Sequence, residues 1–320
     1  MLERRHLLKG AIVMIQSYSG NSAYCFSNSL RMCLAESGAD DLPEVSFIEC
    51  LTGMPFGTTF LALDTPLFFP NPAAIDPNIA IDQALTALGW SCKLWQGEAA
   101  DDGEAALRDA TRHGPVLLGP VDMGFLSYDP QHAHKRGGDH FVVVLELEGD
   151  SVRLHDPQLY PYAILSLSDL VRAWNARHLG YMRAAYTLRH SFRRQNARTR
   201  RQLLEAGAAA ARDLQTRPFG GPVAYSGQAA FTRATEVLGG GPPPPFATLL
   251  TNFALPLGAR RCLDGATFMH EAGNTALAAL LVQKAKCYGS AQYHASKGDW
   301  RTAMRRFTEL GELESQLTQR

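Results

Sequence analysis

The stretch Gly138-Asp139-His140-Phe141-Val142-Val143-Val144-Leu145, followed by Glu148-Gly149-Asp150 and then Ser151-Val152-Arg153-Leu154-His155-Asp156-Pro157, does most to limit what this chain can become. An unbroken valine-rich apolar run is a buried strand, Glu-Gly-Asp is a tight reversal, and the alternation after it is a second strand. Residues 140 to 156 therefore read as an antiparallel hairpin. Loop parity then decides whether His140 and Asp156 share a face. A three-residue loop sets 147 opposite 151 and 140 opposite 158, which leaves Asp156 diagonal to His140 on the same side; a two-residue loop turns the carboxylate away.

A second stretch supplies a partner for that pair. Asn21-Ser22-Ala23-Tyr24 are turn formers, and from Cys25 onward Phe26, Leu30, Cys33 and Leu34 recur at three- and four-residue intervals until Gly38. This is an amphipathic helix that begins at a cysteine. The first backbone N–H groups of a helix lack internal partners, and helix N-termini or neighbouring imidazolium ions draw cysteine pKa values from roughly 8.5 toward about 3.5 to 7.5. Cys25 is thus the candidate nucleophile, His140 the candidate base and Asp156 the group that orients it. Cys33 falls to core packing. Asp139 is a rival orienter and His155 a rival base, but each neighbours its competitor on a strand and so points to the other face.

The remainder of the chain frames these residues. Helices are expected over 79–88, 104–112 and 168–176, and strands over 90–95, 115–121 and 180–189. Residues 7–15 form a short helix or strand, and the Gly- and Phe-rich segment 47–69 either lines a pocket or is a buried irregular connection. Composition changes near residue 190. Arg189, Arg193, Arg194, Arg198, Arg200 and Arg201 crowd together, as a phosphate-meeting stripe or a solvated linker and helix face. Beyond them lie a helix over 201–212, breakers at 218–221 and in the polyproline-like run 239–245, and helices over 261–272, 275–289 and 298–316. The expected class is α+β over residues 1–190 with an all-helical part over 191–320.

Thirty-one basic residues balance 31 acidic ones, so bulk charge directs the chain to neither nucleic acid nor an anionic membrane. Six cysteines without Cys-x-x-Cys spacing argue for reduced thiols in the cytoplasm and against a zinc or disulfide framework. His132 and His134 lack the companions a metal site needs. Glu3-Arg4-Arg5 suggests a twin-arginine signal, but the apolar run after Lys9 is too short for export. No segment approaches the ~18 uninterrupted apolar residues of a membrane span.

The segments Tyr24-Cys25-Phe26-Ser27-Asn28-Ser29-Leu30, Gly138-Asp139-His140-Phe141-Val142-Val143-Val144 and Leu154-His155-Asp156-Pro157 resemble the amino-terminal domain of the butirosin biosynthesis protein H-like family. That domain is itself similar to bacteriocin-leader-processing, papain-like cysteine peptidases. Gly258-Ala259-Arg260-Arg261-Cys262-Leu263-Asp264 and Phe268-Met269-His270-Glu271-Ala272-Gly273 resemble the helical domain that accompanies it. The resemblance implies a papain-like catalytic domain over 1–190, a helical domain over 191–320, and an acyltransferase in specialised metabolism.

Cys25 would take an acyl group from an acyl carrier protein thioester and pass it to a small amine acceptor, with His140 as base then acid and Asp156 as orienter. No cofactor is implied, since phosphopantetheine enters only as part of the carrier substrate. The peptidase relatives place a glutamine shortly before the cysteine to hold the oxyanion. Here Ser19, Gly20, Asn21 and Ser22 occupy that region, so Asn21, Ser22 and Asp122 stand as oxyanion- or substrate-binding candidates beside the Cys25 backbone N–H. The alternatives are a cysteine peptidase, amidase or thioester hydrolase, and a binding module without catalysis. Self-association into a homo-oligomer is left open.

Overall fold

The computed structural model describes residues 6–8, 11–13, 16–175, 177–216 and 223–318. In chain order, strands β1 (His6–Leu8) and β2 (Ala11–Val13) precede helix α1 (Cys25–Glu36) and helix α2 (Val45–Leu51). Then come β3 (Thr59–Leu61), β4 (Leu67–Phe69), α3 (Pro77–Leu88), β5 (Trp90–Gly97), α4 (Ala100–Thr111) and β6 (Val116–Asp122). The central hairpin is β7 (Asp139–Glu148) and β8 (Ser151–Asp156), followed by β9 (Tyr160–Ser166), α5 (Leu167–Trp174) and β10 (Tyr186–Arg194). The rest is α6 (Arg200–Thr216), β11 (Ala224–Ser226), α7 (Gly227–Gly239), α8 (Pro244–Leu249), α9 (Leu255–Glu271), α10 (Thr275–Ser296) and α11 (Trp300–Thr318). The Arg4-Arg5 pair, the 218–221 breaker and residues 9–10 and 14–15 of the 7–15 segment lie outside the described residues, whereas His6–Leu8 and Ala11–Val13 are paired strands.

The chain divides into two units, and both are discontinuous. One comprises Met1–Val45 with Trp90–Gln195, the other Ser46–Gly89 with Asn196–Arg320. A single cut near residue 190 therefore misses one feature: residues 46–89 belong with the helical part. That unit also holds a three-stranded sheet in the order β11-β3-β4, so it is not all-helical.

The first unit is built on a six-stranded sheet in the order β5-β10-β6-β7-β8-β9, antiparallel at every pairing. Alternation along β7 fills both faces. Val142 and Val144 join Leu118, Leu154, Leu107, Leu170 and Trp174 in a core beneath α4 and α5. Phe141 points the other way, meets Phe26 of α1 edge-to-face at 6.0 Å between ring centroids, and accepts a hydrogen bond on its carbonyl from Ser29 Oγ at 3.1 Å. Side chains buried this fully contribute about 1.5–3 kcal/mol each.

The hairpin loop is shorter than three residues. Glu148 pairs with Ser151, so only Gly149 and Asp150 turn, with Gly149 at φ +59°. A two-residue turn alone would point Asp156 away from His140. The ladder shifts, however, between Val144 and Glu146: Leu145 is an extra residue, and beyond it Val144 faces Leu154 and Val143 faces His155. This β-bulge restores the parity that a three-residue loop would have produced, so His140 and Asp156 share a face after all.

In the second unit, the helices expected over 261–272, 275–289 and 298–316 are present as α9, α10 and α11, the first two longer than expected and the third shifted by two residues. The proline run is only half a spacer, because Pro244 opens α8 at a position where the missing N–H costs nothing. A π turn over Leu250–Ala254 precedes Pro256, which cannot donate to a continuous α ladder. Arg261 is buried with Glu49, donating to Oε1 from Nε at 2.9 Å and from Nη2 at 2.7 Å, and Lys284 is buried against Glu314. Of the basic stretch only Arg189 is buried, in β10; Arg193, Arg194, Arg198, Arg200 and Arg201 are exposed, with Arg194 paired to Asp41 and Arg200 to Glu271 at the surface. Among the described residues no helix is long and apolar enough to cross a membrane.

Candidate active site

Cys25 is the first residue of α1, half-buried, and no side chain caps the helix ahead of it. The chain reaches it through a strained turn: Ser22 (φ 60°) and Tyr24 (φ 56°, ψ 50°) both adopt the left-handed region. Two such non-glycine residues cost of order 1–3 kcal/mol each and need support from their surroundings. Asn28, three residues into the helix and 1% exposed, provides it. Its Nδ2 donates to the carbonyls of Ala23 (2.7 Å) and Tyr24 (3.1 Å) and to Asn21 Oδ1 (3.1 Å), while its Oδ1 accepts from Ser19 Oγ at 2.7 Å. The same loop is tied to β8, since Ser22 N donates to the Pro157 carbonyl at 3.2 Å and Tyr18 Oη to the Asp156 carbonyl at 2.8 Å.

His140 lies at the start of β7 with 1% exposure, opposite Val121. Its Nε2 is 2.6 Å from Asp156 Oδ1, and its ring also hydrogen-bonds the Cys25 side chain. With Nε2 committed to the carboxylate, Nδ1 is the nitrogen left for sulfur. Burial disfavours the imidazolium, but the Asp156 charge and hydrogen bond, reinforced by Cys25, outweigh it and push the His140 pKa up to about 10.

Asp156 is 2% exposed and fully committed. Oδ1 accepts also from Gln158 N (2.6 Å), and Oδ2 from Tyr128 Oη (2.7 Å). Burial acts to raise its pKa, yet the His140 cation and the hydrogen bonds from His140, Tyr128 and the Gln158 N–H hold the carboxyl below its ordinary value. Tyr128 in turn is pushed well above the usual phenol by burial and by Asp156, so it stays a donor. Its ring packs on Tyr160, whose hydroxyl donates to Asp129, and Asp129 takes Lys135 Nζ at 2.7 Å. Neither Tyr128 nor Asn28 is conspicuous in the sequence as a site residue. The one available signal was Asn28 on the apolar face of an amphipathic helix, where an amide must have local partners.

The other candidates fare differently. Asp139 accepts from Tyr181 Oη at 2.5 Å and so is engaged away from His140. His155 accepts the Tyr162 N–H on Nδ1 at 3.0 Å, lies between the Tyr18 and Tyr162 rings, and is pushed down to about 4 by burial; it is a neutral core histidine. Of the two roles offered for Asp122, oxyanion or substrate binding, the first does not fit its chemistry, while the residue does line a cleft with Phe125 and His178. A carboxylate only accepts, and Asp122 Oδ1 is taken by the N–H groups of Gly124 (2.7 Å) and Gly137 (3.0 Å), which makes it a clasp for the β6–β7 loop. Asn21 is exposed and braces the turn through Oδ1, which accepts from Ala23 N and Asn28 Nδ2; Ser22 is exposed and contributes its backbone N–H to Pro157. Cys33 is buried, as its place in the helix implies. His132 Nδ1 bonds the Asp129 carbonyl, and among the described residues no cluster of three His, Cys, Asp or Glu side chains could hold a metal ion.

Residues 220–320 match the family model of the YobF C-terminal domain. YobF of Bacillus subtilis (strain 168), an uncharacterized protein, is 34% identical over 165 residues, which is 51% of this chain and 52% of YobF. The chain thus spans about half the length of the curated relative it matches.

Proposed function

We propose that this protein is a thiol-dependent acyltransferase that moves an acyl group from a carrier-protein thioester to an amine. The observation that carries the reading is the contact order Cys25, His140, Asp156, with sulfur at a helix start, imidazole between, and a buried carboxylate behind. The arrangement resembles papain-like cysteine enzymes, and the Cys25, His140 and Asp156 motifs resemble the butirosin biosynthesis protein H-like family. Six free thiols support a reducing, cytoplasmic setting.

In the first half-reaction Cys25 sulfur attacks the thioester carbonyl, and the tetrahedral oxyanion is met by the Cys25 N–H, which helix geometry leaves without an internal acceptor. The carbonyl re-forms as the carrier thiolate departs, taking a proton from His140. In the second, the amine attacks the acyl-Cys25 thioester, His140 removes the amine proton, and Cys25 leaves as the amide forms. Asp156 keeps the ring orientation and its cation stable throughout. The carrier's pantetheine arm is substrate, and a small amine is the acceptor.

The test is intact-mass analysis after incubation with an acyl-carrier thioester, with and without candidate amines. An adduct on Cys25 that disappears with amide formation, and is absent in Cys25→Ala, is the expected result. An adduct released only to water would reassign the protein as a thioester hydrolase or peptidase-like enzyme. No adduct, with iodoacetamide labelling Cys25 no faster than the other thiols, would leave a binding module.

A further inference from the structure

Where β6 ends, the chain opens a cleft of about 680 Å³ whose walls include Asp122, Phe125, Arg136, Arg172, Asn175 and His178. A smaller one of about 340 Å³ shares Phe125, Arg136 and Arg172 among its walls, so these three residues line both. Both guanidiniums are stacked on one ring, with the Arg136 and Arg172 Cζ atoms 4.8 and 4.9 Å from the Phe125 centroid. Stacking uses the flat face of a guanidinium and leaves its N–H edge free to grip an anion.

Arg136 and Arg172 share these walls with two carboxylates, Asp122 and Asp169, but the pairing among them is loose. Arg136 makes no ion pair with a carboxylate among the described residues. Arg172 reaches Asp169 only at 3.5 Å, and His178 Nε2 is 3.7 Å from Asp122 Oδ2, while the other Asp122 oxygen is already filled by two backbone N–H groups. Two like charges gathered on a single ring repel each other, and an anion bound beside them would offset that repulsion. A concave, partly apolar wall also focuses their field. A carboxylate would be satisfied by one guanidinium fork, whereas two forks and an imidazole suit a group with three peripheral oxygens.

We infer that this cleft binds a phosphate-class oxyanion, gripped by Arg136 and Arg172 beside Phe125 with Asn175 and His178 as further donors. The cleft lies near the proposed catalytic residues, because Asp122 pairs with Asp139 and the preceding Val121 with His140. It does not depend on chemistry at Cys25, so Cys25→Ala should bind as the wild type does. The phosphate could arrive free or as an ester on a substrate, and the ligands below separate the two.

The experiment is an NMR and calorimetric titration of the full chain at low salt with inorganic phosphate, phosphopantetheine and pantetheine. The expected result is saturable phosphate binding that shifts the Phe125 and His178 ring resonances, with affinity falling at least about tenfold in Arg136→Gln and in Arg172→Gln. Arg136→Lys should fall between, and Arg153→Gln, which removes an exposed arginine paired with Glu146, should leave binding unchanged. Tighter binding of phosphopantetheine than of phosphate, with pantetheine silent, would assign the ester; the reverse would assign the free ion. The wild-type ring shifts need no variant to fold. Absence of saturable binding, shifts spread over other arginines, or wild-type affinity in both variants would overturn the inference.

Discussion

Replacing Asp156 with asparagine keeps the shape of the side chain and removes the charge that holds His140 protonated. Raising an imidazole from about 6.5 to about 10 in a fully buried site corresponds to roughly 5 kcal/mol of preference for the cation. Breaking a buried ion pair by removing one partner costs about 3–5 kcal/mol, and the amide retains part of the hydrogen bonding from Tyr128 and Gln158, so the low end is expected. The pH dependence is the sharper test. His140 has a folded pKa above its unfolded one, so its contribution is complete below about 6.5 and is lost as pH rises through about 10. The Asp156 carboxyl is depressed, so its contribution is present above the ordinary carboxylate value and is lost on acidification through the folded pKa.

The destabilisation by Asp156→Asn should therefore be largest, about 3 kcal/mol, at pH 5.5 and fall as pH rises from about 6.5 toward 10, with a slope no steeper than ~1.4 kcal/mol per pH unit. Urea unfolding of both proteins across this range measures it, and nitrogen-detected NMR of the His140 ring should show a cation in the wild type and a neutral ring in the variant at pH 8. A stability difference that is flat or grows with pH, or a ring still charged in the variant, would refute the reasoning.

Asn28→Ala strips the Ala23 and Tyr24 carbonyls and the Ser19 hydroxyl of a buried partner and should cost about 2–3 kcal/mol, read by denaturant unfolding, with altered iodoacetamide labelling of Cys25 as the left-handed turn relaxes. Gly20→Ala would place a methyl group 2.7 Å from the Pro157 carbonyl oxygen and against the Tyr18 hydroxyl. It should lower the melting temperature and loosen the tie between the Cys25 loop and β8, seen as faster amide exchange at Ser22.

Much of the sheet was legible because its strands advertise themselves. The valine run of β7 and the fully buried β6 leave no other reading, and the three carboxy-terminal helices carry clear periodicity. Strand β9 was missed because Tyr160-Pro161-Tyr162 lies at a sheet edge, where only Ala163 and Leu165 are buried and the pattern is short. Within 47–69, α2, β3 and β4 are brief elements whose stability comes from packing with residues from the end of the chain, as Phe47 packs on Phe268.

The His140–Asp156 relation was anticipated for a partly wrong reason, since the bulge at Leu145 compensates for a loop one residue shorter than supposed. Nothing in a run of apolar residues says which of them will be extruded from a ladder. Strand-end carboxylates look alike in sequence, and only the fold shows that the Gly124 and Gly137 N–H groups claim one oxygen of Asp122. Tyr128 and Asn28 stayed hidden because their importance is entirely a matter of whom they touch.

The double crossing of the polypeptide, out of the sheet unit at Val45 and back at Trp90, has a practical bearing on any attempt to dissect or recombine this protein. A truncation placed after Gln195 would strand residues 46–89 without Arg261 to neutralise Glu49 and without Phe268 to cover Phe47. The excised tail would in turn lack the strands β3 and β4 that β11 joins. Neither fragment is a free-standing module, so swapping tails among relatives at one junction should yield insoluble chimeras, whereas transplanting both pieces together should not.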